Sequence, residues 1–586
     1  MPANKHDSFV LINICVAAHA ANSEHSCHVT VETEYGKIRG MRRDADGYHY
    51  YSFRNIPYAK QPLGKLRYQE LTPPDPWSGI IDTIEDGPVC LQNDVFYKTL
   101  MQPHGMSEAC IHANVHVPAS APIKLQSKSH CRPSRHLTPP KPHMNANQCG
   151  LPILIFVHGG GFTFGSGDAD LHGPEPIVKK DVIIVTFNYR LSSFGFLSTN
   201  SSQIPGNAGL RDIITLIKWV KRNARTFGGN PDDITIGGQS AGGTISHIVS
   251  MVEKEAGKLF KRVIMMSGTA SRTFFTVSPA NAAVMANHLL TRLGITTKDP
   301  QEIYEILTNT PAEVIYSITK EIQHMTGLID FTPVIEDKHN EVNAHLLTDP
   351  DDLINNSAYS PMPRVIGMVD NECYSMKDHF EEIDIIGRIK ENPLTVVPVS
   401  LLFKLSPTQL AEVAQEIMAR YFKGEPTIDE YINLCSDSFF IYPTLNTVEK
   451  TVGDVYLYRF TYIGGGSKIL QNATGSLCDA EVGCKGVMHA EDLLYLFKTN
   501  SYADFPFTPQ DISMQDWFQT MMTNFVKTGN PTQTSGAFSK WKPVNKSNIQ
   551  YLDIRKPQDY QMVQLSQELL ETKYFFDRLY NLERKD

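Results

Sequence analysis

Gly238-Gln239-Ser240-Ala241-Gly242, reached from the apolar run 234–236, has the spacing of a G-x-S-x-G nucleophile elbow. A serine at a sharp strand-to-helix turn takes a strained backbone conformation, so the residues two places before and after it must be small. Gly238 and Gly242 meet that need. The stretch 241–250 continues as a helical pattern, and Asp232-Asp233 ahead of the apolar run reads as loop chemistry. Five common residues also fall into this pattern by chance, so the surroundings decide whether the serine is a nucleophile.

Those surroundings alternate between strand and helix. Short β-branched runs at 153–157, 182–187, 234–236, 263–266, 365–369 and 455–460 are separated by longer helical patterns. The spacing predicts an α/β fold with a large, mostly parallel sheet and helices on both faces. Between two of the strands, Leu210, Ile213, Ile214, Ile217 and Val220 recur at helical spacing, with Lys218, Lys221 and Arg222 on the other side.

A serine hydroxyl is a poor nucleophile, so acyl transfer also needs a base, a group to orient that base, and donors for the oxyanion. The run 153–157 leads straight into His158-Gly159-Gly160-Gly161-Phe162, a glycine turn able to aim backbone N–H groups at developing negative charge. With Ala241 it predicts a three-donor hole from Gly160, Gly161 and Ala241. No Lys-Ser/Thr follows, as a phosphate-binding P-loop would need. For the base, 20 histidines give composition no power to choose. The order Ser, acid, His confines the search to residues beyond Ser240. His489 precedes a short apolar helix at 493–497, where it could be the base or a capping histidine. The strand 365–369 ends in Asp370-Asn371-Glu372, and either carboxylate stands where open α/β sheets place their sites.

Composition sets outer bounds. The 586 residues are 41% hydrophobic and 20% charged, as in a globular protein with a substantial core. A net charge of -9 and a pI near 6.1 oppose binding to a phosphate backbone, so nucleic acid is not an expected partner. The apolar run 9–18 is too short to span a bilayer, and Ala18-His19-Ala20 offers a small-residue cleavage site, so 1–20 reads as a secretory signal peptide without stable membrane insertion. Sequons at Asn200, Asn355, Asn472 and Asn545 are compatible with export and glycosylation. The 10 cysteines include no C-x-x-C pair, so no metal site is expected and a few disulfides are. Cys90 and Cys110 flank the loop 91–109; bridging them would stabilise by about 3 kcal/mol, and two free buried thiols are the alternative. Cys478 and Cys484 lie close together in the sequence. The stretch 119–150, rich in Pro, Ser, His, Lys and Arg, reads as an exposed insertion; its His130, Cys131, His136, His143 and Cys149 are too irregularly spaced for a metal site.

From Val29 to near the end the chain resembles the type-B carboxylesterase and cholinesterase family. The likeness is carried by Tyr35-Gly36-Lys37-Ile38-Arg39-Gly40, Phe53-Arg54-Asn55-Ile56-Pro57-Tyr58-Ala59, Trp77-Ser78-Gly79, Phe187-Asn188-Tyr189-Arg190-Leu191, Gly206-Asn207-Ala208-Gly209-Leu210 and Phe227-Gly228-Gly229-Asn230-Pro231. The resemblance implies an α/β-hydrolase fold over one domain, 29–580, with no cofactor. The family's G-x-x-x-D/N-E block falls on Gly367 to Glu372 and selects Glu372 as the acid; a second block matches His489-Ala490-Glu491-Asp492-Leu493. The implied roles are Ser240 nucleophile, His489 general base and then acid, and Glu372 its orienting partner.

Gln239 before the serine, the spacing 486–492 and the carboxyl-terminal half resemble insect juvenile hormone esterases, which implies as substrate a small-molecule apolar ester such as juvenile hormone, the methyl ester of a long apolar sesquiterpenoid. Related insect carboxylesterases for xenobiotic or odorant esters are the alternative. A non-catalytic adhesion-type homologue would lack the serine or the histidine, and here all three triad positions are filled. The loop between Cys90 and Cys110 holds no tryptophan, so a quaternary ammonium ester is disfavoured. Selectivity is expected to lie in the loops 91–109 and 270–330.

Overall fold

The computed structural model describes residues 28–123, 150–252, 256–272, 276–327, 329–336, 346–355, 361–475, 486–532 and 541–584. The expected signal peptide, nearly all of the 119–150 insertion with its His and Cys residues, and both Cys478 and Cys484 lie outside them.

Twelve strands form one continuous path: β1 (His28–Glu32), β2 (Lys37–Ala45), β3 (Tyr48–Ile56), β4 (Ala113–Pro118), β5 (Leu151–Val157), β6 (Ile183–Phe187), β7 (Gly229–Gln239), β8 (Arg262–Met266), β9 (Arg364–Val369), β10 (Val455–Phe460), β11 (Gln550–Ile554) and β12 (Gln561–Gln564). Their spatial order is β1-β2-β3-β4-β6-β5-β7-β8-β9-β10-β11-β12, and the short strand Ile80–Asp82 pairs with β2. From β6 to β11 every pairing is parallel. The β1 to β4 end and the β12 edge are antiparallel. The parallel centre is the part the alternating sequence pattern predicts. It is buried on both faces, as its all-apolar runs require: β5, β6, β8 and β9 are almost wholly inaccessible.

β7 carries the site, and it runs further than its apolar residues imply. The strand continues through Gly237 and Gly238 to Gln239, because β5 pairs it on one side (Gly238 opposite Val157) and β8 on the other (Gln239 opposite Met266). Backbone ladders on both edges override the weak strand propensity of glycine. At the other end Asp232 and Asp233 lie inside the strand rather than in a loop, where the register shifts between Gly229 and Ile234. The helix Ala208–Asn223 buries Leu210, Ile213, Ile214, Ile217 and Val220, with Lys218 and Arg222 exposed, and packs against β7. The helices Ala241–Val252 and Pro509–Thr528 also pack against it. Among the described residues no helix is long and apolar enough to cross a membrane.

Candidate active site

β7 ends at Gln239, and the helix Ala241–Val252 begins two residues later, so Ser240 alone makes the turn. Its φ is +56°, a left-handed conformation that costs a non-glycine residue energy and is held by its neighbours. Ser240 N–H donates to Met266 O at 2.7 Å, and Ser240 O accepts from Thr244 N at 3.0 Å. The flanking glycines are needed for space. A Cβ on Gly238 would stand 2.4 Å from the Gly242 carbonyl carbon, and one on Gly242 would stand 2.0 Å from Val157 O. Gly268, which the motif does not include, is equally constrained: its Cβ would lie 1.9 Å from Ser240 O.

The glycine turn after β5 curls beside the serine. Gly160 (φ +107°), Gly161 (φ +60°) and Phe162 (φ +65°) are all left-handed, and Gly160 O accepts from the N–H groups of Thr163 and Phe164. Buried side chains clamp the turn from outside. Gln92 Oε1 accepts from Gly165 N at 2.6 Å while its amide donates to Gly165 O, and Asp330 accepts from Thr163 Oγ1 at 3.1 Å and Ser192 Oγ at 2.5 Å. His158 is fully buried, stacked on Tyr189 at 4.4 Å, and burial pushes its imidazole down to about 4, so it stays neutral as part of the scaffold. Ala241 opens its helix, so its N–H has no intrahelical acceptor.

The carboxyl ends of β9 and the 486–492 loop bring the other two residues together. Asn371 N donates to Val487 O at 2.8 Å and His489 N to Glu372 O at 3.2 Å, so the two loops are zipped backbone to backbone. Glu372 is completely buried; its Oε1 accepts from Val369 N at 2.9 Å and its Oε2 lies 2.6 Å from His489 Nδ1. Asp370, which residue chemistry alone could not separate from Glu372, turns away to Arg459 at 2.6 Å. Behind the histidine, Asp492 accepts from Tyr458 Oη at 2.6 Å and burial raises its carboxyl to about 6. Glu491 is fully buried, accepts from Ser467 Oγ and from Met488 N at 3.1 Å, and burial raises it to about 8.

Ser240, Gly160, Gly161 and His489 line one cavity. Its walls are otherwise apolar: Phe96 and Tyr97 from the loop 91–109, Phe164, and Ile329. Met376, Phe439 and Phe440 complete the lining, three residues that no motif in the sequence marks. Phe439 and Phe440 sit in a π-helical turn, Asp437–Ile441, and the Phe440 ring is 4.5 Å from the His489 ring. A wide turn between two helical stretches carries no composition signal that marks it in advance. A separate cavity is lined by the Cys90–Cys110 bridge with Arg67, Glu108 and Phe194, and does not include Ser240.

Two disulfides frame the site. Cys90–Cys110 closes the loop that supplies Phe96 and Tyr97, as expected from the sequence. Cys373–Cys435 was not anticipated; its partners are 62 residues apart and only the fold brings them together. Asn200, Asn472 and Asn545 are exposed, the second on a helix; the side chain of Asn355 lies outside the described set. Among the described residues no group of three or more His, Cys, Asp or Glu is placed to hold a metal ion.

The carboxylesterase family model matches residues 28–576. The chain is 40% identical to a juvenile hormone esterase of Heliothis virescens, over 93% of each chain. It is 29% identical to the juvenile hormone esterase of Tribolium castaneum, over 92% of this chain and 88% of that one. Among solved structures, the juvenile hormone esterase of Manduca sexta with OTFP covalently attached superposes with a TM-score of 0.85 at 43% identity, covering 94% of this chain and all of that one. With its α/β-hydrolase sheet and this kinship, the chain belongs to the carboxylesterase family and is a carboxylic ester hydrolase.

Proposed function

We propose that Ser240 is the nucleophile, His489 the general base and acid, and Glu372 the residue that orients and charge-stabilises His489, acting on the ester of a long apolar substrate of the juvenile hormone class. The observation that carries the reading is the 2.6 Å contact of Glu372 Oε2 with His489 Nδ1, on a wall of the cavity that Ser240 also lines. That contact keeps a proton on Nδ1 and leaves Nε2 as the acceptor of the ring.

In the first half-reaction the Ser240 Oγ–H proton passes to His489 Nε2 as Oγ bonds to the ester carbonyl carbon. The oxyanion is met by the N–H groups of Gly160, Gly161 and Ala241. Collapse breaks the bond to the alcohol oxygen, which leaves with the proton from Nε2. Water then repeats the sequence on the acyl-enzyme, giving the acid and free serine. The apolar walls fit an apolar acyl or alcohol chain, and no acidic side chain is among the described residues that line the cavity. The relatives that carry the name juvenile hormone esterase support the same substrate class.

Secretion after loss of a leader at 1–20 fits the exposed sequons and the two disulfides. The domain reading, one unit over 29–580, fits the continuous sheet from β1 to β12. Purified protein and its Ser240→Ala variant, assayed on a juvenile hormone, a short activated acetate and a long-chain triglyceride, test the assignment. Wild type is expected to prefer the hormone in kcat/KM, and the variant to lose hydrolysis of every substrate. Equal activity in the two proteins overturns the assignment of Ser240; equal kcat/KM for hormone and acetate overturns the substrate class.

A further inference from the structure

Ser240 Oγ makes no hydrogen bond to His489 in this structure. The base is engaged by the preceding residue: Gln239 Nε2 lies 3.0 Å from His489 Nε2. The orientation of the amide follows from the other side of the ring. Nδ1 donates to the buried Glu372 carboxylate, so Nε2 carries the lone pair and the group facing it must be a donor, the Gln239 NH2. Gln239 is wholly buried, and its Oε1 has no hydrogen-bond partner among the described residues. The fold makes room for this side chain at the oxyanion turn, since a Cβ on Gly159 would stand 2.5 Å from Gln239 Oε1.

We propose that Gln239 is a positioning residue: its amide holds the His489 lone pair, and with it the orientation of the ring, until substrate engages Ser240. The proposal rests on the assignment of His489 as base. A neutral amide suits this place because a hydrogen bond donated to the uncharged ring favours the uncharged form, whereas a carboxylate would favour the imidazolium. The other charged or titratable groups facing the ring are Glu372 from the turn after β9, Asp492 with Tyr458 bound to it, Glu491 beyond Asp492, and Tyr97 across the cavity. The remaining contacts, Phe96 at 6.2 Å and Phe440 at 4.5 Å, are uncharged.

The test compares wild type, Gln239→Glu and Gln239→Met by the pH profile of kcat/KM on a short activated acetate. The pre-steady-state burst counts working sites, and thermal unfolding checks the fold. Gln239→Glu is expected to move the acid limb to higher pH by about one to three units. Gln239→Met removes the donor without adding charge and is expected to move it in the same direction by less. If Gln239→Glu does not fold, the direction in Gln239→Met decides alone. A residue that only packs would scale the whole profile and leave the limb in place; an unmoved limb, or one moved down in Gln239→Met, overturns the proposal. Failure of the triad assignment is read separately, from retained activity in Ser240→Ala.

Discussion

Cys373 is bridged to Cys435 in the residue directly after Glu372, so a covalent tie to the helix Ile428–Ser436 fixes the carboxylate that meets His489. The same helix runs on into the π-helical turn bearing Phe439 and Phe440. One bridge thus anchors both the acid and an aromatic wall. In the chain-entropy description, closing a 62-residue separation stabilises by about 4 kcal/mol. The double variant Cys373→Ser, Cys435→Ser is expected to lose stability of that order in denaturant unfolding, and to lose kcat more than it raises KM. Unchanged kcat with lowered stability would show that the bridge serves the fold alone.

Glu372 and Asp370 make opposite predictions although both follow β9. Glu372→Gln leaves the contact with Nδ1 sterically possible but lets the ring adopt the wrong tautomer, and is expected to lower kcat by about 10³- to 10⁴-fold. Asp370 is committed to Arg459, so Asp370→Asn is expected to change kcat by only a few-fold. Steady-state kinetics on one ester, with both variants shown to be folded, distinguishes them.

What the sequence carries and what it withholds divide along a physical line. The parallel centre was legible because strands buried on both faces must be continuous apolar runs, as at Leu151–Val157 and Arg364–Val369. The strands β1 to β3 were not read, because their half-buried alternation, as in Tyr48–Ile56, is diluted by polar residues and a register shift, and β4, buried throughout, is interrupted by Asn114 and His116. Ser240 and the glycine turn were legible because steric demand leaves little choice of residue. Asp370 and Glu372 stayed level until the resemblance, since only tertiary geometry shows which one turns inward. Cys373–Cys435, Met376 and the Phe439-Phe440 pair depend on contacts across long separations, which local pattern does not encode.

Gly160 is constrained twice, by φ +107° and by Phe164 O only 2.0 Å from any added Cβ. Gly160→Ala must therefore displace the turn to which two of the oxyanion donors are assigned in the proposed mechanism. It is expected to lower kcat by about 10²- to 10³-fold, the usual cost of losing one donor, with a smaller change in KM. An unchanged kcat in a folded variant would remove the turn from the mechanism.

Phe439 offers apolar surface to the cavity, and its neighbour Phe440 packs its ring 4.5 Å from that of His489. Burying a phenylalanine against an apolar ligand is worth about 1.5–3 kcal/mol. Phe439→Ala is expected to cut kcat/KM for a long apolar ester by about tenfold or more and to leave a short acetate nearly unaffected. Parallel losses on both substrates would place Phe439 outside the chain-binding wall.

Glu491 gives the pH dependence of stability a definite sign. Burial raises its carboxyl from the ordinary 4.5 to about 8, so between those values the folded state holds a proton that the unfolded state has released. Stability contributed by this group is therefore present at low pH and lost as pH rises towards 8, then level above it. Glu491→Gln keeps an acceptor for Ser467 Oγ and Met488 N but cannot ionise. Denaturant unfolding from pH 5 to 8.5 is expected to show a flatter stability profile in the variant than in wild type, with the variant gaining relative to wild type as pH rises. A difference between the two proteins that stays constant across that range would mean Glu491 is ionised in the folded state throughout.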